Sequence, residues 1–540
     1  MALTAELRRG IDAIRDYLFG GGFPDPMSNA EQLSYLFFFY LVEGMDADNL
    51  LKARATKQPY DSLFASDWTL RNPLNAPAKD QTTVPAARLR WSSWARGLTG
   101  EALVRWLRDE VFAFYATVAE RSAMNFMDGA RLGIDEPTVL TQIVDLIDGL
   151  HLDQADADTK GDLFEHVLRQ IRQAGELGQF RTPRHIIRAI VRMVDPRIGE
   201  TIYDPAAGTA GFLVAAYNHI RLAHSSPSAI DAVELDGKSV PRGWGDRLSA
   251  AMNARLGNGT FYGNDVDPKM VRLATMNLTL RGLPNVRILK RNALTTTLER
   301  ADMAALGLPL DGYDVVLANP PFSGSLDRDR IVDDVKIGTS TATELLFLRY
   351  MLNVMKQGGR AGVVVPEGVL YRSTNAHKEL RRQLVENNTV HAVLTLPGGV
   401  FQPYAGVKTS VLFFTKGGRT QSVEFLHADA DGYKLDAQHD TVIDVDDLPA
   451  LETAYAARAE HLHQWQARDV NAEWSEKYWF ADAAQVRAND FNLSASRYRP
   501  LSRAQAVHRD PRELLAELRA IEAELLEEID ALDAMLEEDA

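Results

Sequence analysis

A short turn in the middle of the chain has residue types that could do chemistry: Asn319, Pro320, Pro321 and Phe322, directly after the apolar run YDVVLA. Two consecutive prolines stiffen the backbone and remove two N–H donors. The polar groups that remain are acceptors, namely the side-chain oxygen of Asn319 and the carbonyl oxygen of Pro320. Two acceptors that converge on one point fit an amine that carries two hydrogens.

The chemistry that this turn favours is methyl transfer to the exocyclic amine of a base. The adenine amine is a poor nucleophile because its lone pair is delocalised into the ring, so aligning that lone pair with a sulfonium methyl supplies much of the catalysis. Phe322 is predicted to stack on the base once it is flipped from the duplex. The plainer interpretation, a strand-ending turn with a buried phenylalanine, is disfavoured because a matching cofactor loop lies upstream.

That upstream loop has the residues Asp204-Pro-Ala-Ala-Gly208-Thr209-Ala210-Gly211 and follows the predicted strand TIY. Glycines at a strand-to-helix turn let a ligand approach the backbone closely. A nucleotide would bring its phosphate to the helix N-terminus, where an aspartate would repel it. S-adenosylmethionine has an ammonium and a sulfonium instead, so Asp204 favours this cofactor. A glycine turn alone is also typical of a tight turn without any ligand.

Two more polar positions follow the next predicted strands. In the run Tyr262-Gly-Asn-Asp265-Val-Asp267-Pro268, Asp265 is assigned to the ribose hydroxyls of the cofactor and Asp267 to the N-cap of the next helix. Asn292 either hydrogen-bonds the adenine amine of the cofactor or terminates its strand, and the sequence favours neither. We predict no metal at this site.

The elements that must position these residues form an α/β domain between about 160 and 420. Short β-branched runs alternate there with helical stretches, which is typical of a doubly wound, Rossmann-like sheet. The predicted strands are 201–203, 260–263, 287–290, 314–318, 361–365, 391–396 and 410–414. The predicted helices are 183–194, 268–281 and 343–355. The segment 225–258 breaks this alternation, so we interpret it as an insertion.

The flanking regions have different patterns. Apolar residues recur at helical spacing up to about residue 150, and the run GGGFPDP (20–26) separates the first helix from the second. Residues 511–538 have a leucine-rich stripe along one helix face, which packs on its own chain or binds a partner. The sequence thus predicts a helical domain (1–155), a catalytic domain (156–425), a mixed extension (426–505) and a partner-binding helix (506–540).

The composition excludes several classes of function. The 540 residues include no cysteine, which excludes disulfides, thiolate metal sites and carbon-5 cytosine methylation through a cysteine nucleophile. There is neither a membrane-length apolar run nor a signal-peptide pattern, so we expect a cytoplasmic protein. The net charge is −15, whereas proteins that hold DNA unaided are usually basic. We therefore expect either a local basic face or a partner that supplies most of the DNA contact.

These residues resemble the modification subunit of type I DNA restriction–modification systems, loosely over residues 10–60 and well over about 160–500. The likeness extends to GDLFE (161–165), GQFRTPR (178–184), GRAGVVVPEG (359–368) and ANDFNLSASRY (488–498). In that family the Thr-Pro segment contacts the cofactor. The resemblance therefore assigns this role to Gln179, Phe180, Arg181, Thr182, Pro183 and Arg184, and a cofactor-loop role to Thr209, Ala210 and Gly211.

The resemblance also implies an assembly. It implies an N-terminal helical domain, a Rossmann-like catalytic domain and a C-terminal helical tail that docks on a separate DNA specificity subunit. Two modification subunits would join one specificity subunit on double-stranded DNA, and a restriction subunit can join them. The implied activity is site-specific N6-adenine methylation with S-adenosyl-L-methionine. Asp265 stands where the family commonly has Glu, and Arg181 where an aromatic residue is common.

Three other functions remain open from the sequence. N4-cytosine methylation uses the same chemistry, although Ser is more usual there in place of Asn319. Protein glutamine methyltransferases also orient an amide with an Asn-Pro-Pro turn, but they usually end it with Tyr and are much shorter. A non-catalytic scaffold of a defence complex would not need the intact pair of acceptors.

Overall fold

A mixed nine-stranded sheet lies at the centre of the molecule in a computed structural model of the chain. The structure describes residues 5–57, 59–71, 82–121, 127, 129–152, 156–169, 182–283, 285–322, 324–402, 408–436, 439–469, 474, 476–500, 515, 519 and 522.

The strands and helices have the following bounds. The strands are β1 (Asp67–Thr69), β2 (Thr83–Pro85), β3 (Ile202–Asp204), β4 (Ile230–Leu235), β5 (Lys238–Gly243), β6 (Asn258–Asp265), β7 (Asn285–Lys290), β8 (Tyr313–Ala318), β9 (Met355–Pro366), β10 (Asn388–Thr395), β11 (Thr409–Lys416), β12 (Ser422–His427), β13 (Asp431–Tyr433), β14 (Val442–Asp446) and β15 (Tyr478–Asp482). The helices are α1 (Ala5–Gly20), α2 (Pro26–Thr56), α3 (Trp91–Trp94), α4 (Gly100–Arg105), α5 (Phe112–Arg121), α6 (Pro137–Asp148), α7 (Ala157–Arg169), α8 (Arg184–Val194), α9 (Gly211–Ala223), α10 (Ala250–Gly257), α11 (Pro268–Leu280), α12 (Arg300–Ala305), α13 (Thr343–Val354), α14 (Glu367–Tyr371), α15 (Asn375–Asn387), α16 (Leu448–Ala456), α17 (Arg458–Ala467) and α18 (Ala483–Ala488).

The order of strands in the central sheet is β15-β12-β10-β11-β9-β8-β3-β6-β7. Strand β3 pairs in parallel with β6 on one side and with β8 on the other. The order of strands along the chain therefore reverses at β3, which is the topological switch point where doubly wound sheets bind ligands at the carboxyl ends of their strands. The predicted α/β class is confirmed, and every strand predicted between 160 and 420 is present with its ends shifted by a few residues.

Helices cover both faces of this sheet. Along β8, Val315 and Leu317 join one apolar cluster with residues of α8 and α9, whereas Val316 and Ala318 join a second cluster with residues of α13 and α15. Successive side chains of a strand point to opposite faces, so a strand that is buried on both faces has a continuous apolar run. This is why YDVVLA has no polar alternation in its second half.

The N-terminal region is helical and has its own core. Asp25 caps α2 by accepting hydrogen bonds from the amides of Met27 and Ser28, and Pro26 takes the first helical position, so the predicted break between the first two helices is confirmed. The apolar cluster of this region also includes Met270, Leu273, Met276 and Leu280 of α11. Helix α11 is therefore shared between the N-terminal core and the central sheet.

The predicted insertion folds as the hairpin β4–β5 followed by α10. Its buried Arg242 pairs with Asp162 of α7 at 2.7 Å. At the hairpin turn, the backbone carbonyl of Asp236 accepts a 2.9 Å hydrogen bond from the hydroxyl of Tyr433. The hairpin thus contacts both the N-terminal helices and the β13–β14 pair.

Some predictions meet a different outcome. The predicted helical region also includes the small antiparallel pair β1–β2. The domain boundary predicted between 425 and 426 falls inside β12. This strand pairs with β10 and β15, so the region after residue 425 extends the central sheet at its edge. The C-terminal helix predicted over 506–540 lies outside the described residues, apart from three positions that are helical. Among the described residues, no helix is both long enough and apolar enough to cross a bilayer.

Candidate active site

The candidate site lies where the carboxyl ends of β3, β6 and β8 meet. Asp204 is the last residue of β3, Asp265 is the last residue of β6, and Asn319 directly follows β8. Because these strands are parallel and adjacent, the residues at their carboxyl ends share one edge of the sheet. The structure therefore brings together the glycine loop (residues 204–211) and the Asn-Pro-Pro-Phe turn (residues 319–322).

The glycine loop has a tightly specified backbone. Gly208 has a φ of +51°, and a Cβ atom added there would have no heavy atom within 4 Å. A ligand can therefore approach the backbone at Gly208, whereas a side chain there would be strained and would occupy that space. Ala210 has a φ of +67°, which costs about 1–2 kcal/mol for a residue with a Cβ atom. The surrounding hydrogen bonds must hold it in this conformation.

Two asparagines that the sequence analysis did not single out supply such hydrogen bonds. Asn264 is 2% exposed, and its Nδ2 donates to the carbonyl of Pro205 at 2.9 Å. Asn277 of α11 is 1% exposed, and its Nδ2 donates to the carbonyl of Thr209 at 3.0 Å. A polar residue among the apolar residues of a buried element is the signal that could have identified them.

Asp265 also holds the glycine loop. Its carboxylate accepts hydrogen bonds from the amide of Gly208 at 2.9 Å and from the amide of Asp267 at 3.0 Å. A carboxylate has about four acceptor sites, so a ribose would share this side chain with the loop. Burial raises the pKa of Asp265 above its usual value. The predicted cap is confirmed, since Asp267 accepts from the amide of Lys269 at 2.8 Å.

Asp204 is almost fully buried. It is 1% exposed, and its Oδ1 accepts a 3.0 Å hydrogen bond from the amide of Ala206. Burial raises the pKa of this carboxyl to about 8, and the nearby charge of Asp265 adds to the effect. An incoming cation would favour the ionised carboxylate, so Asp204 is suited to a positively charged ligand.

Asn292 forms the turn after β7. Its Oδ1 accepts a 3.0 Å hydrogen bond from the amide of Leu294, which is the pattern of an Asx turn. This is the strand-terminating interpretation from the sequence. A contact with the adenine of a cofactor stays a prediction.

Asn319 contacts the Thr-Pro segment. Its Nδ2 donates a 2.8 Å hydrogen bond to Oγ1 of Thr182, which lies two residues before α8. Pro320 is buried and Pro321 is half-buried. The resemblance had assigned Thr182 to the cofactor, and the sequence had given no reason to expect this contact with Asn319.

Phe322 is less accessible than a base-stacking role requires. It is 7% exposed, and its ring meets that of Phe401 edge to face, with 5.2 Å between the centroids. The predicted stacking on a base would require this contact to open.

The remaining residues of the Thr-Pro segment divide into two groups. Gln179, Phe180 and Arg181 lie outside the described residues. Pro183 precedes α8, and Arg184 begins it with its Nε 2.8 Å from a carboxylate oxygen of Glu165. Arg184 therefore contacts α7 in this structure.

Comparisons with known proteins identify the family of the chain. The family described as N-6 DNA Methylase matches residues 155–506. Over 460 residues the chain is 29% identical to the EcoEI methylase subunit of a type I restriction enzyme from Escherichia coli, with 81% of this chain and 84% of that protein covered. Over 396 residues it is 30% identical to the StySJI methylase subunit of a type I restriction enzyme from Salmonella typhimurium, with 68% and 67% covered.

Two solved structures have the same fold. A chain from a structural study of complex assembly in a type I restriction–modification system is 24% identical, covers 100% of both chains and superposes with a TM-score of 0.64. A modification subunit of a type I restriction enzyme from Vibrio vulnificus is 23% identical, covers 90% of this chain and 94% of that chain, and also has a TM-score of 0.64.

Proposed function

The chain belongs to the N-6 DNA methylase family, among the relatives of type I restriction-enzyme methylase subunits, and we propose that it methylates the N6 amine of adenine in DNA as the modification subunit of such a system. The observation that carries the proposal is the hydrogen bond between Thr182 and Asn319 at the switch point of the sheet. It places the amide that would hold the substrate amine next to the segment assigned to the cofactor.

Asn319 and Pro320 act on the substrate amine. The side-chain oxygen of Asn319 and the carbonyl of Pro320 accept its two hydrogens, which directs the nitrogen lone pair out of the ring plane. An amine held in this way reacts as a positioned nucleophile, and positioning accounts for much of the rate enhancement in such reactions. Asn319 is the catalytic residue of the proposal.

Thr182 positions that amide. A carboxamide presents an oxygen and an NH2 group that differ only in their hydrogen-bonding roles. Because Nδ2 donates to Thr182, Oδ1 is directed away from the threonine. Thr182 thereby selects the acceptor face of Asn319 for the substrate.

The residues at the switch point fit S-adenosylmethionine. Within the described residues, the contacts of Asp204 include a backbone amide and no basic side chain, so its buried carboxyl can pair with an ammonium group. The open space at Gly208 admits a ligand to the backbone. The carboxylate of Asp265 accepts from two backbone amides and has further acceptor sites, to which we assign the ribose hydroxyls. When bound, the cofactor supplies the electrophilic methyl group on its sulfonium.

The proposal includes partners. The net charge of −15 is unfavourable for unaided DNA binding, so we assign sequence readout to a DNA specificity subunit that binds two copies of this chain. The C-terminal stripe of residues 511–538 is the surface we assign to that contact. A restriction subunit can join the assembly, which acts on double-stranded DNA in the cytoplasm.

The test is methylation by the assembled complex. The chain is co-expressed with its specificity subunit in a host without adenine methylation, and DNA digested to nucleosides is analysed by mass spectrometry. We expect N6-methyladenine with the wild-type chain and none above background with Asn319→Ala.

Each alternative function gives a different result in the same experiment. N4-methylcytosine would replace the adenine assignment with cytosine methylation. Methylated glutamine in a protein, with unmodified DNA, would favour a protein methyltransferase. Unchanged adenine methylation by Asn319→Ala would overturn the proposed role of the turn.

A further inference from the structure

Two histidines and one aspartate form a buried cluster outside the active site. His185 lies in the first turn of α8, Asp431 begins β13, and His439 precedes β14. Asp431 is 0% exposed, His439 is 2% exposed and His185 is 8% exposed. One nitrogen from each histidine and one carboxylate oxygen lie within 4.8 Å of one another.

The central atom of this cluster is Oδ2 of Asp431. It lies 2.8 Å from Nε2 of His185 and 2.9 Å from Nε2 of His439. The other carboxylate oxygen, Oδ1, accepts from the amide of Tyr433 at 3.3 Å, and the Tyr433 ring stacks on that of His185 with 4.3 Å between centroids. The carboxylate is thus fixed by its own turn, with one oxygen close to both imidazoles.

A hydrogen bond explains the contact of Asp431 with His185 but not its contact with His439. His185 and Asp431 form a hydrogen bond, whereas neither ring nitrogen of the buried His439 forms one among the described residues. A buried polar group without a hydrogen bond costs about 1–3 kcal/mol. Nε2 of His439 is therefore close to Oδ2 but not directed at it. Nε2 of His439 and Oδ2 of Asp431 can instead both point at a metal ion beside them, which would lie about 2.0–2.2 Å from each atom.

We propose that His185, Asp431 and His439 bind a zinc-type transition-metal ion that holds α8 against the β13–β14 pair. Two imidazole nitrogens and one carboxylate oxygen are ligands typical of Zn²⁺, whereas Mg²⁺ and Ca²⁺ prefer all-oxygen sites. Three protein ligands leave one tetrahedral position for a water molecule. The sequence analysis predicted no metal. His185 and Asp431 are 246 positions apart, so nothing in the local sequence indicates that they meet.

The protonation states agree with this chemistry. Burial lowers the pKa of His185, which favours its neutral imidazole. The Nε2 proton that His185 donates to Asp431 would be displaced when a metal ion binds there. Burial alone would raise the pKa of Asp431, but the hydrogen bond with His185 holds it below its usual value. The nearby cation Arg188 lies 3.9 Å from a carboxylate oxygen of Asp236, which offsets its charge.

The position of the cluster indicates a structural role. His185 is three residues after Thr182, which contacts Asn319. A metal ion that fixes the start of α8 would therefore also restrict where Thr182 can lie. The cluster does not touch the reacting groups, so the ion would stabilise the protein without taking part in methyl transfer.

The test is direct metal binding by the full chain, purified without a histidine tag and stripped with a chelator. Zn²⁺ is titrated by calorimetry, and Co²⁺ is added separately to record its visible absorption. We expect one tight site per chain, a tetrahedral Co²⁺ spectrum and a rise in melting temperature with Zn²⁺. His439→Gln should weaken Zn²⁺ binding by about 100-fold or more, because even indirect supports of a metal site contribute about 10- to 100-fold.

His377→Gln is the matched control. His377 is 6% exposed and its Nε2 also forms no hydrogen bond among the described residues, but it does not belong to a cluster of ligands. This variant should bind Zn²⁺ with wild-type affinity. The proposal is overturned if the wild-type chain binds no stoichiometric Zn²⁺, or if His439→Gln binds it as tightly as the wild type does. The first of these outcomes does not depend on any variant folding.

Discussion

Asn319 and Thr182 are 137 residues apart in the sequence, yet Nδ2 of Asn319 donates a 2.8 Å hydrogen bond to Oγ1 of Thr182. This contact joins the turn after β8 to the segment before α8. It predicts that Thr182→Val lowers kcat for DNA methylation by about 2- to 10-fold, the value of one net hydrogen bond, with little change in the KM for DNA. Steady-state kinetics of the assembled complex measure both parameters.

Thr182→Ser separates positioning from packing. It keeps the hydroxyl and removes only a methyl group, so kcat should return close to the wild-type value. A loss of kcat in Thr182→Ser as large as that in Thr182→Val would show that the methyl group contributes as much as the hydroxyl, which would contradict a role that rests on the hydrogen bond alone.

Gly208 and Gly199 provide a matched pair for the cofactor loop. Both have positive φ angles, +51° and +92°, and neither would bring an added Cβ within 4 Å of another atom. Replacing either with alanine should lower the free energy of unfolding by about 1–2 kcal/mol, because the backbone becomes strained. Only Gly208→Ala should also weaken S-adenosylmethionine binding, by about 10-fold or more, as measured by calorimetry. Equal cofactor affinity in the two variants would move the binding site away from this loop.

The raised pKa of Asp204 predicts that the affinity for S-adenosylmethionine depends on pH. Its pKa of about 8 means that the carboxyl is mostly protonated at pH 7, and pairing with an ammonium group would ionise it. S-adenosylmethionine binding should then strengthen from pH 6.5 to about 8 and release close to one proton at pH 7. Calorimetry in buffers with different ionisation enthalpies measures this release. A pH-independent affinity with no proton release would contradict the pairing.

Asp204→Asn should affect affinity and stability in opposite directions. The folded-state pKa lies above the usual 3.8, so the folded protein binds more protons than the unfolded chain between about pH 4 and 8. The free energy of unfolding therefore falls as pH rises through that window. Asparagine stays neutral, so the variant should lose that decline while binding the cofactor about 10- to 100-fold more weakly.

A buried ion pair joins the N-terminal region to the catalytic domain. Arg272 of α11 lies 2.6 Å from Glu31 and 2.7 Å from the hydroxyl of Tyr35, and both charged side chains are less than 9% exposed. Glu31→Ala should lower the free energy of unfolding by about 3–5 kcal/mol, because it removes the carboxylate that pairs with the buried Arg272. The exposed pair of Arg382 and Glu379 is the control. Glu379→Ala should cost less than about 1 kcal/mol in urea unfolding.

The C-terminal stripe predicts an assembly surface. Leu525→Glu with Ile529→Glu places charges on the apolar face of the predicted helix, so co-purification with the specificity subunit should be lost. Glu527→Gln with Asp530→Asn changes the opposite face and should leave the complex intact. Light scattering of the purified complexes distinguishes the two, and an intact complex for the first variant would remove this surface from the proposal.

The strands and the loop around the site could be predicted because their signals are local. The run YDVVLA is buried on both faces, and a proline pair or a glycine turn at the end of a strand constrains only its neighbours. The contact of Thr182 with Asn319 and the cluster around Asp431 depend on distant parts of the chain that meet only after folding. The sequence analysis considered a buried Phe322 but disfavoured it, and the contact with Phe401 that buries it also comes from a distant part of the chain.

The hydrogen-bond partners of Asp265 could not be predicted from the sequence. A carboxylate at the end of the second strand fits a ribose and fits a backbone amide equally well, and the sequence cannot say how its acceptors are shared. The structure places both of its oxygens on backbone amides. Likewise, the pairing of β12 with β15 extends the sheet beyond the predicted boundary, because an edge strand can recruit a partner from far along the chain.

Helix α11 contacts both the N-terminal core and the glycine loop of the catalytic domain. Its Met270, Leu273, Met276 and Leu280 belong to the N-terminal core, while the amide of its Asn277 donates to the carbonyl of Thr209. If docking with another subunit tilts the N-terminal helices, α11 would transmit that movement to the glycine loop. We therefore expect assembly and cofactor affinity to be coupled, so that a partner that never touches the cofactor would change how tightly it binds.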